Sequence, residues 1–283
     1  MKSRSLAAFA LLTLAIAGCS NGSAPSASAP PSTSARAGSP VVSAPPANIT
    51  IYGAASLSAV LAKVKTLYQA SNPGAVLTIS TDSSSALEIK IEQGAPVDVF
   101  LSADTANPQK LIDKDLADGG LVTFADNLLT VIVPAGNPAG IKTPADLTNK
   151  GVKVIAAGDT VPITKYANQL VANLTKQPGY PTDFAARYTA NIVSKQDNVS
   201  AVVAQISLGE GDAAIVYVTD ARTTTKVGTI DVPAAANVPA TYAGVIVKGT
   251  PNPDAARIFL AWLAGPEGQA ILASAGFLSA SRQ

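Results

Sequence analysis

The chain has no histidine among its 283 residues and one cysteine, Cys19. Without histidine there is no Ser-His-Asp or Cys-His catalysis, no His-ligated zinc and no use of the commonest general base. No Ser-x-x-Lys spacing occurs either, so a hydrolase is disfavoured. A lone cysteine excludes an intramolecular disulfide and a thiolate metal site. Charge is scarce at 14%, and 20 basic against 19 acidic residues leave a net charge of +1. That balance gives no argument for nucleic acid or another polyanion as a partner.

A membrane-spanning run is missing as well. The leading apolar stretch, Leu6 to Ala17, is roughly 12 residues long, against about 20 for a spanning helix. Behind Lys2 and Arg4, this stretch reads as a signal peptide over residues 1–18. Ile16-Ala17-Gly18-Cys19 completes a lipobox, similar to those of bacterial lipoproteins. Cleavage before Cys19 and acylation there are expected; the plainer alternative is a small-residue cleavage site with an incidental cysteine. Residues 19–47, mostly Ser, Ala, Pro and Gly, bury too little to offset their ordering entropy and read as a flexible tether. The expected location is the outer face of a bacterial cell membrane, held by lipid alone.

From Asn48 onward, apolar strand-like runs alternate with helical periodicity, which predicts an α/β fold with largely parallel strands. Strands are expected at Ile49–Tyr52, Ala75–Ile79, Val97–Leu101, Leu128–Val133, Val152–Ala156, Ala213–Val218 and Ala243–Val247. Helices are expected after Ser56 (with apolar Leu57, Val60, Leu61, Val64, Leu67 and Tyr68), after Ser85, over Pro108–Asp118, from Pro162, from Val199, and at Pro253–Ala264 and Pro266–Ala275. The length suits two lobes. Residues 48–130 and 230–283 form the first and 131–229 the second, with a ligand cleft between them.

One device occurs twice. Ile49-Thr50-Ile51-Tyr52 runs into Gly53-Ala54-Ala55-Ser56, and Ala75 to Ile79 runs into Asp82-Ser83-Ser84-Ser85. Each is a strand entering a serine-bearing helix start, where unpaired N–H groups and the positive end of the macrodipole are exposed. Two such ends meeting at one sheet edge would hold a small oxyanion.

Ala54-Ala55-Ser56-Leu57, Ser83-Ser84-Ser85-Ala86-Leu87, Ile91 to Phe100, Ser102-Ala103-Asp104 and Ile215-Val216-Tyr217-Val218-Thr219-Asp220-Ala221 together resemble the molybdate-binding proteins of ABC importers, the ModA family. The similarity runs in order over nearly all of Asn48 to Phe277. It implies a class II periplasmic-binding-protein fold, two α/β lobes joined by two crossing strands. It also implies molybdate, and usually tungstate, held by neutral hydrogen-bond donors, with no cofactor and no direct metal-ion ligand. Carried over by position, the ligand contacts are the hydroxyls of Ser56, Ser84 and Tyr217 and the backbone N–H groups of Ile163 and Val199. Gly158-Asp159-Thr160-Val161-Pro162-Ile163-Thr164-Lys165-Tyr166-Ala167 is shorter than the family's corresponding segment and lacks its Ala-Gly pair. The implied partner is a membrane permease, and the chain itself is expected to be a monomer.

Each site residue also has a plainer reading. Ser56 and Ser84 at helix starts would ordinarily be caps, worth about 1 kcal/mol each. Val199 would be a core residue, and Tyr217 a buried ring with a satisfied hydroxyl. Asp82 is expected to point away from an anion and cap its helix. Lys63, Lys65, Lys90 and Lys153 read as solvated. The competing functions are a sulfate-, thiosulfate- or tungstate-selective binder, an enzyme such as a transferase on the same fold, and an adhesion or sensor lipoprotein without a ligand.

Overall fold

The computed structural model describes residues 46–280. The signal peptide, Cys19 and almost all of the tether lie outside the described residues. In chain order the first half contains β1 (Ala47–Ala54), α1 (Ser58–Ser71), β2 (Ala75–Asp82), α2 (Ser84–Glu92), β3 (Val99–Ser102), α3 (Ala106–Asp113), β4 (Ala117–Asn127) and β5 (Leu129–Pro134). Then come β6 (Val154–Ala157), α4 (Pro162–Leu174), α5 (Phe184–Ala190), β7 (Ile192–Gln196), α6 (Val199–Ser207), β8 (Ala214–Tyr217) and α7 (Val218–Ala221). β9 (Val227–Ile230), β10 (Ala240–Val247), α8 (Pro253–Ala264) and α9 (Pro266–Ser274) complete the chain. Among the described residues no helix is long and apolar enough to cross a membrane.

The strands form two lobes. In the first sheet the order is β2-β1-β3-β10-β4. Here β1 runs parallel to β2 and β3, whereas β10 is antiparallel to both β3 and β4. In the second lobe β5 lies between β8 and β9, antiparallel to both. A parallel β6-β7 pair joins that sheet through a bridge between Val154 and Ala213. The expectation of largely parallel strands therefore fails for four of the seven strand pairings. β4 and β5 carry the chain out of the first lobe, and β9 and β10 carry it back. Outward and return strands point in opposite senses and can only pair antiparallel.

Local chemistry explains the elements that set up the site. Ile49 and Ile51 alternate into the core on β1, and Val60, Leu61, Val64 and Tyr68 form the buried face of α1. Leu67, expected on that face, lies off it and is half exposed. Tyr68 meets Phe259 and Trp262 of α8 edge-on, at 5.1 and 5.0 Å between ring centres. At Gly53 a Cβ would come within 2.4 Å of Leu61 Cδ1. Glycine there lets α1 lie close on the end of β1, just before Ser56. The helix expected over Pro108–Asp118 ends at Asp113. Asp115 adopts a left-handed φ of 57°, and the chain turns into β4.

Where the chain crosses, Asn237 acts as a staple. Its Oδ1 accepts from Leu129 N–H (3.0 Å) and its Nδ2 donates to the Leu129 carbonyl (2.9 Å). This ties the return segment to the first residue of the outgoing β5.

Candidate oxyanion site

Ser56, Ser84, Ile163, Val199 and Tyr217 line one small cavity between the lobes. It has room for little more than one water-sized sphere. The remaining wall comes from Ala54, Ala55, Ser83, Ala103, Val161 and Pro162, and among the described residues no charged side chain lines it. Three helices, α2, α4 and α6, begin at this wall, so their positive ends converge on it.

Neither Ser56 nor Ser84 is a helix cap. Ser56 lies in a 3-10 turn, Ala55–Leu57, whose start has no side-chain cap. Its Oγ accepts instead from the Tyr242 hydroxyl at 2.8 Å. α2 is capped by Ser83, whose Oγ accepts from Ala86 N–H at 3.3 Å. Ser84 Oγ is thereby free to accept from Ala103 N–H at 3.0 Å, across to the end of β3. In both serines a protein donor already occupies the oxygen, and the hydroxyl proton remains to be given. Ser56 and Ser84 are only 6% and 1% exposed, which fixes them at the cavity wall.

The backbone donors follow from helix geometry. Pro162 is the first residue of α4 and has no N–H, which makes Ile163 the first donor of that helix. Val199 is the first residue of α6, and the Asn198 side chain caps Ala201 N–H (3.0 Å), further along. The first N–H groups of a helix have no partner within it. The side chains of Ile163 and Val199 are buried in the core, as the plainer reading held for Val199.

Tyr217 departs from its plainer reading. It ends β8, is 1% exposed, and its hydroxyl has no hydrogen-bond partner among the described residues. Its ring is wedged against Tyr166 and Tyr242, at 6.3 and 5.7 Å. Burial, and then the neighbouring acidic groups, push its pKa well above the usual tyrosine value, so it is a neutral donor throughout the physiological range. A buried, unpaired hydroxyl costs about 1–3 kcal/mol, and a ligand that accepts from it would remove that penalty.

Asp82 points away from the cavity, as expected, but does not cap α2. Its Oδ1 accepts from Ser83 N–H (2.8 Å) and from Asn198 Nδ2 (3.3 Å) across the cleft, and Lys90 Nζ lies 3.2 Å from Oδ2. Burial opposes its ionisation, yet those three donors together hold its pKa below the usual carboxylate value. Ser85 Oγ also reaches Thr160 Oγ1 at 3.5 Å, and Ser200 Oγ donates to the Ala55 carbonyl at 3.2 Å. Three contacts thus span the lobes around the cavity. Sequence reasoning missed Tyr242 and Ala103, which orient the two serines. Among the described residues no group of three or more His, Cys, Asp or Glu side chains could hold a metal ion.

The family model described as bacterial extracellular solute-binding protein matches residues 49–278. The molybdate-binding protein ModA of Mycobacterium tuberculosis is 32% identical over 269 residues, covering 95% of this chain and 94% of its own. The chain belongs to the ModA family of extracellular solute-binding proteins. Its structural relatives agree. The periplasmic molybdate-binding protein of Azotobacter vinelandii superimposes with a TM-score of 0.70 at 25% identity, over 82% of this chain and all of that one. The sulfate-binding protein SubI of Mycobacterium tuberculosis gives a TM-score of 0.74 at 20% identity, over 81% of this chain and 86% of that one. At that identity, the likeness to SubI extends to the fold alone. A ModA-family member has the two-lobe periplasmic-binding-protein fold and acts outside the cytoplasm.

Proposed function

We propose that this ModA-family chain is the substrate-binding component of a molybdate and tungstate ABC importer. It captures the anion between its lobes and delivers it to a membrane permease. In this reading Cys19 carries the lipid anchor, residues 19–47 form the tether, and the folded part works as a monomer that binds without turnover. Residues 48–130 and 230–283 supply one wall of the cleft and 131–229 the other.

The observation that carries the reading is the unpartnered Tyr217 hydroxyl, which shares an uncharged cavity with two serines and two helix-start amides. Hydrogen bonds to a charged group are worth about 1.5–3 kcal/mol each. Five of them give micromolar or tighter binding of a dianion after ordering costs of several kcal/mol. The wall also selects. The oxygens of Ser56 and Ser84 already accept from Tyr242 and Ala103, so these two hydroxyls face the ligand chiefly as donors, which favours an anion that brings no proton of its own. A fully deprotonated tetrahedral oxyanion needs no acceptor.

Calorimetric titration with molybdate, tungstate, sulfate and phosphate tests the assignment. Tight one-to-one binding of the first two, with the last two silent, is expected. Preference for sulfate, or silence with all four, would defeat it.

A further inference from the structure

A second cleft lies on the other side of Ser56. It encloses about 170 Å³ and is lined by Ser56 and Lys63 from the first lobe, Thr219, Arg222 and Thr223 from the second, and Ser274 at the end of α9. Among the described residues no carboxylate lines it. Neither Lys63 nor Arg222 belongs to an ion pair among the described residues. The Arg222 guanidinium lies against Gly276, where a Cβ would come within 2.2 Å of Nη1 and where φ is +97°. Glycine at that position provides the space Arg222 occupies. Thr219 is 5% exposed, and its Oγ1 accepts from Asn127 Nδ2 at 2.8 Å, so its hydroxyl proton is available. Two unpaired cations and a buried hydroxyl donor, with no opposing charge, form a receptor for a small anion. The design is the reverse of the neutral cavity: it selects by charge and has no cage to select by size.

We propose that this cleft is a second oxyanion site, weak and unselective, which bridges the lobes and concentrates tetrahedral anions beside Ser56. It takes from the preceding reading only the class of anion present. Because both cations are exposed, binding here must weaken sharply with salt, as screening sets in within about 10 Å at 0.1 M.

The test uses the full chain loaded with one equivalent of molybdate and then titrated with inorganic sulfate, following the Arg222 guanidinium and Thr219 amide signals by NMR. A saturable shift is expected, weakened about tenfold when sodium chloride rises from about 20 to about 200 mM. K63Q/R222Q should abolish it while one-equivalent molybdate uptake persists, and R222K, which keeps the charge, should retain it. Absence of a saturable shift, or a shift that survives in K63Q/R222Q, would overturn the proposal. So would loss in R222K, which would trace the effect to packing on Gly276. If the chain takes up no molybdate at all, the neutral-cavity reading fails, yet sulfate titration of the unloaded chain still reports this cleft.

Discussion

Replacing Tyr217 by phenylalanine should move stability and affinity in opposite directions. The ring stays, so its contacts with Tyr166 and Tyr242 are kept and only the hydroxyl is lost. In the ligand-free protein that hydroxyl is buried without a partner among the described residues, at a cost of about 1–3 kcal/mol. The adjoining space holds about one water, which recovers part of that cost, so deletion should stabilise by up to about 1 kcal/mol. For a domain of this size that corresponds to a Tm increase of about 2–4 °C. With molybdate bound, the same deletion removes one hydrogen bond to a charged group, about 1.5–3 kcal/mol. The dissociation constant should rise about 10- to 150-fold. Differential scanning calorimetry of the free protein and isothermal titration with molybdate measure the two halves. A Tyr217→Phe variant whose free Tm falls by several degrees while its affinity is unchanged would show that the hydroxyl is structural, and the reasoning would be refuted.

Ser56→Ala and Tyr242→Phe should be strongly non-additive. Each alone breaks the 2.8 Å bond that orients the Ser56 hydroxyl, so a double-mutant cycle on molybdate affinity should give a coupling of about 1 kcal/mol. Asp82→Ala removes a cross-lobe bond to Asn198 together with the bond that Asp82 accepts from Ser83 N–H at the start of α2. Molybdate release, followed by stopped-flow, should speed up about three- to tenfold at about 1 kcal/mol; an unchanged rate would show that the contact does not hold the lobes closed. Asp220 is buried, which raises its pKa from 3.8 to about 7 despite the opposing bond from Tyr217 N–H. Between those values the native state holds a proton that the unfolded chain has released. The carboxyl's contribution is therefore fully present below pH about 4 and lost as pH rises towards 7. The Tm of Asp220→Asn relative to the parent should climb across that window, and a flat difference would count against a neutral buried acid.

How much was legible in the sequence depended on whether the cause was local. β1, β2, β5 and β8 show as short apolar runs, and α4, α6, α8 and α9 show through their periodicity and starting residues. β4 was hidden because Gly119 and Gly120 interrupt it and Leu116 continues the apolar spacing of α3. The break at Asp115 rests on a left-handed backbone in a non-glycine residue, which sequence alone does not signal. β9 is four residues, three half-buried and one exposed, held by pairing with β5, and β7 likewise has no buried apolar run to mark it. Strand direction in the second lobe depends on the double crossing, which no local pattern records. Helix-start chemistry was read correctly as a class but shifted by one residue at α2, where Ser83 caps and Ser84 is left facing the cavity. The five proposed ligand positions came from resemblance. Their supports did not, since Tyr242 reaches Ser56 across 186 positions of chain and Ala103 reaches Ser84 across 19.

The most direct test of the central claim is a crystal structure of the molybdate-soaked protein with anomalous scattering recorded at the molybdenum edge. A single strong peak is expected inside the cavity, within hydrogen-bonding reach of the Ser56, Ser84 and Tyr217 hydroxyls and the Ile163 and Val199 amides. A principal peak against Lys63 and Arg222 or elsewhere on the surface, with the cavity empty, would contradict a cage of neutral donors.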